Sequence, residues 1–91
     1  NQLLAEARDK PGFSATDLVR LKVYAAHAAI DSGDGSAAAA AGNEAAALAS
    51  REFGERHPLT LEAVVAQAIS LRYAGRFEAA ERAAARALAL T

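Results

Sequence analysis

The stretch GERHPLTLEAVVAQAISLRYAGRFEAAERAAARALAL, residues 54–90, contains two helix-forming segments joined by a short turn. Pro58 suits the first turn of a helix, where a missing backbone N–H removes no hydrogen bond. The apolar residues that follow recur at helical spacing and are Leu61, Val64, Val65, Ala68 and Ile69. Gly75 ends this helix, because glycine adopts the left-handed conformation of a helix terminus without strain. The stretch therefore predicts a helical hairpin over residues 58–74 and 77–90.

Glycine and proline clusters divide the rest of the chain into similar segments. With the hairpin, these segments predict five helices, at about residues 2–8, 15–31, 36–53, 58–74 and 77–90. Ser14 and Asp17 have the spacing of a capping box at the start of the second helix. Because β-branched residues are sparse and no alternating apolar pattern persists, we predict an all-α fold.

The alanine run at residues 37–41 allows two interpretations, a low-complexity linker or part of a helix. Leu48 and Phe53 follow the run in helical phase, which favours the helix. Gly42 lies inside this helix and lowers its stability by roughly 1 kcal/mol relative to alanine. We therefore expect another helix to approach closely at Gly42.

The sequence repeats along the chain, and the separation of Gly33 and Gly75 is the length of one repeat. The same shift relates Gly12 to Gly54, Ala26 to Ala68, Ala38 to Ala80 and Ala45 to Ala87. Small residues thus recur where the two helices of a hairpin would touch. A period of this length predicts stacked helical hairpins.

Composition excludes several classes of function. The formal net charge of −1 argues against direct nucleic-acid binding, which requires an excess of Lys and Arg to neutralise phosphates. No apolar stretch of about 20 residues is present to span a membrane. The chain has no cysteine, which fits the cytoplasmic localisation that we expect. Because the first residue is Asn1 and no signal-peptide pattern follows, we expect the chain to begin at a boundary inside a longer protein.

No residue pattern predicts catalysis, a metal site or a cofactor. His27 and His57 are the only histidines, and zinc needs three or four clustered ligands. We interpret His57, next to Pro58, as a turn or capping residue. The loop at residues 31–36 lacks the ligand spacing of a calcium site and follows a helix, so an inter-helix turn is the favoured interpretation. We therefore expect a protein that is not an enzyme.

Residues 61–90 resemble a tetratricopeptide repeat, with Ala68 in the first helix, Gly75-Arg76-Phe77 in the turn, and Ala80 and Ala87 in the second helix. The preceding residues, Gly54 to Leu61, are similar to the G-x-x-H-P-x-T-L connector of the 42-residue repeats of kinesin-light-chain-like proteins. The resemblance implies a right-handed superhelix of stacked antiparallel hairpins. It divides the chain into a half repeat at 1–12 and repeats at 13–54 and 55–91, and it implies a fragment of a larger bacterial multidomain regulator.

The resemblance also implies a partner-binding surface on the first helix of each repeat, which lines the concave side of the array. The positions expected to bind a peptide or a partner helix are Arg20, Tyr24, His27, Glu62, Ile69, Arg72 and Tyr73. The peptide-clamping Asn of kinesin-light-chain-like repeats is replaced by Tyr24 and Ala66. For the aliphatic positions on these helices, which are Val23, Ile30, Val65 and Ile69, packing against neighbouring repeats is the competing interpretation.

A second hypothesis is self-association. The sequence places Leu3 and Leu4 near one end of the array, and Leu88 and Leu90 near the other, without a capping helix. Repeat arrays need polar caps for solubility. Ends without caps therefore predict a homo-oligomer that has no separate ligand.

Overall fold

Four α-helices make up the part of the chain that the structure, a computed structural model, describes, residues 14–91. They are α1 (Ala15–Asp31), α2 (Gly35–Phe53), α3 (Pro58–Tyr73) and α4 (Phe77–Leu90). The all-α prediction is confirmed for these residues, which contain no strand. The sequence predicts about five helices, and the one at residues 2–8 lies outside the described residues. No helix in residues 14–91 is long and apolar enough to cross a lipid bilayer.

Helix boundaries follow the predicted caps. The Ser14 Oγ accepts a hydrogen bond from the Asp17 N–H at 3.2 Å, and the Ser14 N–H donates to Asp17 Oδ2 at 3.0 Å. This reciprocal pair is the capping box that the sequence predicts, and such a cap contributes about 1 kcal/mol. Helix α2 begins one residue before the predicted start, because Asp34 caps it by accepting from the Ala37 N–H at 3.0 Å.

The two inter-helix turns repeat the same backbone geometry one period apart. Gly33 and Gly75 both have φ of 81°. The Gly33 N–H donates to the Ile30 carbonyl and the Gly75 N–H to the Arg72 carbonyl, each at 3.0 Å. The next residue in each turn also donates back to a helix carbonyl, Asp34 to Ala29 and Arg76 to Leu71. The sequence period therefore corresponds to a repeated helix–turn–helix unit.

The connector between α2 and α3 is held by His57 and Thr60. The Nδ1 of His57 accepts a hydrogen bond from the Leu59 N–H at 3.0 Å, so His57 is the N-cap of α3, as the sequence predicts. Its ring also lies 4.6 Å from that of Phe53, centroid to centroid. The buried Thr60 hydroxyl lies 2.6 Å from the Gly54 carbonyl oxygen and 3.2 Å from that of Ala49. These contacts join the end of α2 to the start of α3.

Helix α3 lies at the centre and packs against the other three helices. The alanine-rich part of α2 is helical and buries Ala38 and Ala39, so the linker interpretation of residues 37–41 is wrong. The main apolar cluster combines Leu18, Val19 and Val23 of α1, Ala45, Leu48 and Ala49 of α2, and Leu59, Ala63 and Ala66 of α3. A second cluster joins Ala39 and Leu71 to Ala80 and Ala83 of α4. Small side chains let these helices lie close together.

Candidate interaction surfaces

The predicted partner-binding residues of α1 lie along one exposed stripe. Arg20, Tyr24 and His27 are exposed, and their spacing of four and three residues places them on one side of the helix. Val23 is buried in the main cluster and Ile30 is half-buried. Packing is therefore the correct interpretation for Val23, whereas the three polar positions remain free to contact a partner.

On α3, the predicted positions Glu62, Ile69, Arg72 and Tyr73 are also exposed. The side chain at the clamp position, Ala66, is only 3% exposed and belongs to the main cluster. It is therefore unavailable to a ligand. Val65 and Ile69 are 41% and 48% exposed, so no helix within residues 14–91 covers them.

Tyr73 connects the α3 surface with the first inter-helix turn. A Cβ built on Gly33 would stand 3.8 Å from the Tyr73 hydroxyl oxygen, so this side chain lies over the α1–α2 turn. On its other side, Tyr73 lines an open depression of about 440 Å³ with Ile69, Arg72 and Phe77. The structure thus brings three of the predicted residues together at the end of α3.

Phe77 is a surface residue that the binding-site prediction missed. Its ring is 64% exposed at the first position of α4, where the earlier repeat has Gly35. The two repeats differ at this position, glycine in the first and phenylalanine in the second. This difference is the sequence signal that could have identified Phe77 as a surface residue of the candidate site. Phe77 also lines a depression of about 410 Å³ together with Ala68, Ile69, Arg72, Ala80, Glu81 and Ala84.

A second apolar depression continues along the same two helices. It measures about 340 Å³ and is lined by Leu61, Val65, Ala68, Ile69, Ala84, Ala87, Leu88 and Thr91. It shares Ala68, Ile69 and Ala84 with the depression beside Phe77. We call the combined surface the α3–α4 groove, defined by Leu61, Val65, Ile69, Phe77 and Leu88. Contiguous exposed apolar surface of this kind marks an interaction site more often than scattered single residues do.

The opposite side of α4 carries a polar cluster. Arg86 donates from Nε to Glu55 Oε1 at 2.9 Å and from Nη2 to Oε2 at 2.6 Å. Ser50 Oγ donates to Glu55 Oε2 and lies against Arg86 Nη2. The Arg86 and Ser50 hydrogen bonds hold the pKa of the Glu55 carboxyl below its ordinary value. Because this cluster joins α4 to the α2–α3 connector, we assign it a structural role.

The described residues contain no group of three or more His, Asp or Glu side chains that could hold a metal ion. His57 caps α3, and Asp34 caps α2, so the loop at 31–36 is the inter-helix turn that the sequence predicts. His27 is exposed on α1. The side chains that these surfaces expose are aromatic, apolar and charged.

Comparison of the chain with protein-family models, with curated proteins and with solved structures found no significant match.

Proposed function

We propose that this chain is a protein-interaction module that binds a peptide or a partner helix across the exposed surfaces of α1 and α3. The observation that carries the proposal is the exposure of all seven predicted partner-binding side chains, while positions between them, Val23 and Ala66, are buried in the core. Arginine and tyrosine are the residues most enriched at interface hot spots. The proposal includes no catalytic step and no cofactor.

The repeated turn geometry supports the wider form of the proposal, a tetratricopeptide-like array of stacked hairpins. The turns at Gly33 and Gly75 make the same backbone hydrogen bonds at equivalent positions of the two repeats. The connector residues His57 and Thr60, which carry the family resemblance, hold the junction between the two units. By the same resemblance, we propose that the module belongs to a larger bacterial regulator that acts in the cytoplasm.

The side chains on the surface favour a partner helix over an extended peptide. An extended ligand is held mainly through its backbone, and recognition of that kind uses amide or backbone groups of the receptor. Here Ala66 is buried, and Tyr24 stands where the related repeats have Asn. Aromatic side chains such as Tyr24 and Tyr73 instead contact apolar side chains, which a partner helix presents at spacings of three and four residues.

The test is a peptide-display selection against the wild-type chain, followed by calorimetric titration of the selected peptide. We expect Tyr24→Ala and Tyr73→Ala each to weaken binding by a factor of about five or more, because a hot-spot truncation removes at least about 1 kcal/mol. Arg51→Ala on α2 is the matched control, since Arg51 is exposed on a different helix. Equal affinity of the two tyrosine variants and the wild type would overturn the assignment of the α1 and α3 surface.

The second candidate function is self-association. Its supporting observation is the α3–α4 groove, where Leu88 is 76% exposed. The groove shares Ile69 with the proposed partner-binding surface, whereas Arg20, Tyr24 and His27 of α1 lie outside it, so Tyr24→Ala tests the first candidate function alone.

A further inference from the structure

We propose that a pocket formed by α2, α3 and α4 binds a phosphate monoester group. We call it the arginine pocket, defined by Arg76, Arg82 and Arg86 of the second hairpin and by Asn43 of α2. It is an open depression of about 310 Å³ and shares no residue with the proposed partner-binding surface or with the α3–α4 groove. The proposal therefore depends on neither of them.

The positive charge of this pocket is only partly balanced by the protein. Arg86 is paired with Glu55. The side chains of Arg76 and Arg82 form no hydrogen bond or ion pair with any other of residues 14–91. No Asp or Glu side chain lines the pocket to repel an anion. Two guanidinium groups therefore face the pocket without a counter-charge from the described residues.

The pocket also supplies a neutral donor and space for a ligand. Gln67 Nε2 donates to Asn43 Oδ1 at 3.0 Å, so the two N–H groups of the Asn43 amide keep their capacity to donate. The remaining lining residues are Leu71, Ala79 and Ala83. Because the two alanines are small, they leave room beside the arginine side chains of α4.

The unbalanced charge indicates which anion fits. A phosphate monoester carries about −1.5 to −2 charges at neutral pH and presents three strong acceptor oxygens. One such group can neutralise both Arg76 and Arg82, and the planar guanidinium matches phosphate geometry through paired hydrogen bonds. A single carboxylate has one negative charge and would leave one arginine without a counter-charge.

The preceding repeat shows that the fold itself does not require these arginines. The residues one repeat length before Arg76, Arg82 and Arg86 are Asp34, Ala40 and Glu44. Equivalent positions on the same kind of helix therefore carry two acidic side chains in the first hairpin and three basic side chains in the second. The cluster is specific to the second hairpin, which favours a role in recognition.

A further hairpin stacked in the same way would leave the pocket accessible. Asp34, Ala40 and Glu44 are all exposed, although α3 and α4 pack after the hairpin that contains them. The equivalent arginines stand on the corresponding side of α4. Their exposure therefore does not depend on whether another helix covers the α3–α4 groove.

Arg76 occupies a position where it weakens the start of α4. Its counterpart Asp34 caps α2 by accepting a hydrogen bond from the Ala37 N–H. Arg76 is the N-cap of α4 and makes no side-chain capping hydrogen bond. Its positive charge also stands at the positive end of the α4 dipole. An anion in the arginine pocket would offset this repulsion.

NMR titration of the isotope-labelled chain tests the proposal, with inorganic phosphate and a capped phosphoserine tripeptide as probes. Acetate and the same tripeptide with glutamate are the carboxylate controls. We expect saturable shifts at residues that line the pocket, and about tenfold tighter binding of a phosphate probe than of its carboxylate control. Binding of inorganic phosphate alone would assign the pocket to a small phosphorylated molecule, and binding of the tripeptide as well would extend it to a phosphorylated side chain.

Two results of these titrations would overturn the proposal. Absence of shifts at the lining residues with both phosphate probes would show that the pocket binds no phosphate. Equal affinity for phosphate and carboxylate probes would show that it responds to negative charge of any kind.

Arg82→Gln should weaken binding of the phosphate probes by about tenfold, because it removes a charge-assisted hydrogen bond. Arg56→Gln is the matched control, since it removes the same charge at an exposed position outside the pocket. Circular dichroism of both variants establishes that the helices are retained. Equal weakening in the two variants would show an effect of overall charge and would contradict the assigned site.

Arg76→Asp separates recognition from structure. It should abolish phosphate binding, yet raise the urea concentration at the unfolding midpoint, because aspartate can cap α4 as Asp34 caps α2. Retained phosphate binding in this variant would exclude Arg76 from the site. Tyr24→Ala should leave phosphate binding unchanged, so a failure of this proposal is distinguishable from a failure of the proposed partner-binding surface.

Discussion

Gly42 of α2 lies directly against Ser70 of α3, and a Cβ on Gly42 would stand 3.1 Å from both the Cβ and the Oγ of Ser70. The sequence predicts a close helix approach at Gly42, and the structure confirms it. The contact explains why a helix otherwise rich in alanine contains a glycine at this point. It also sets the spacing between the two repeats, because α2 belongs to the first hairpin and α3 to the second.

Gly42→Ala should lower the free energy of unfolding by roughly 1 kcal/mol, although alanine is the better helix former. The added methyl group would press on the Gln67 backbone, which cannot rotate away as a long side chain can. Urea denaturation measures the change. Ala40→Gly, at an exposed position of the same helix, is the control that measures the effect of helix propensity without a change in packing. A more stable Gly42→Ala variant would contradict the close contact.

Ser70→Ala should raise the free energy of unfolding by about 1 kcal/mol, which is the reverse of the usual effect of a core substitution. The Ser70 hydroxyl is completely buried and has no hydrogen-bond partner among residues 14–91. Its removal eliminates an unpaired polar group and introduces a stronger helix former. The same denaturation series reports the change. Destabilisation in Ser70→Ala would show that the hydroxyl finds a partner in solution, such as a bound water.

Thr60→Val should destabilise the chain by about 1–2 kcal/mol, because it removes the hydroxyl that reaches the Gly54 and Ala49 carbonyls. Valine has nearly the shape of threonine, so packing is preserved and the lost hydrogen bonding dominates. Thr60→Ser keeps the hydroxyl and should retain most of the stability. If Thr60→Val unfolded at the same urea concentration as the wild type, the connector would not depend on these bonds.

Glu55→Gln should be less stable than the wild type at neutral pH, and the difference should disappear in acid. Hydrogen bonds from Arg86 and Ser50 lower the pKa of Glu55 from its ordinary value of 4.5. The ionised carboxylate therefore contributes stability above that value, and the contribution is lost as the pH falls through the lowered folded-state pKa. Thermal melts across this range measure it. Glu62→Gln is the control on α3, and a constant difference at every pH would argue against the Arg86 pair.

The helices and their boundaries could be predicted because the determinants are local. The capping box of Ser14 and Asp17, the proline after His57 and the glycines of the turns each act within a few residues. The repeat period likewise appears in the sequence, because each repeat must bury the same small residues against its neighbour. Helical spacing places Arg20, Tyr24 and His27 on one side of α1, whereas their assignment to a partner-binding surface is what the resemblance to tetratricopeptide repeats implies.

The tertiary structure decided which equivalent positions are covered. Val23 of α1 and Val65 of α3 occupy equivalent positions in successive repeats. Helix α3 packs over Val23 and buries it, whereas Val65 is exposed, so burial at this position depends on whether another helix packs against it. The pairing of Arg86 with Glu55 joins residues from different parts of the fold and has no local pattern. For the same reason, the groove beside Phe77 and Leu88 could not be read from one helix. Sequence determined the helices and their period through short-range backbone chemistry, and tertiary packing determined the exposed surface because solvent access depends on the neighbouring helices.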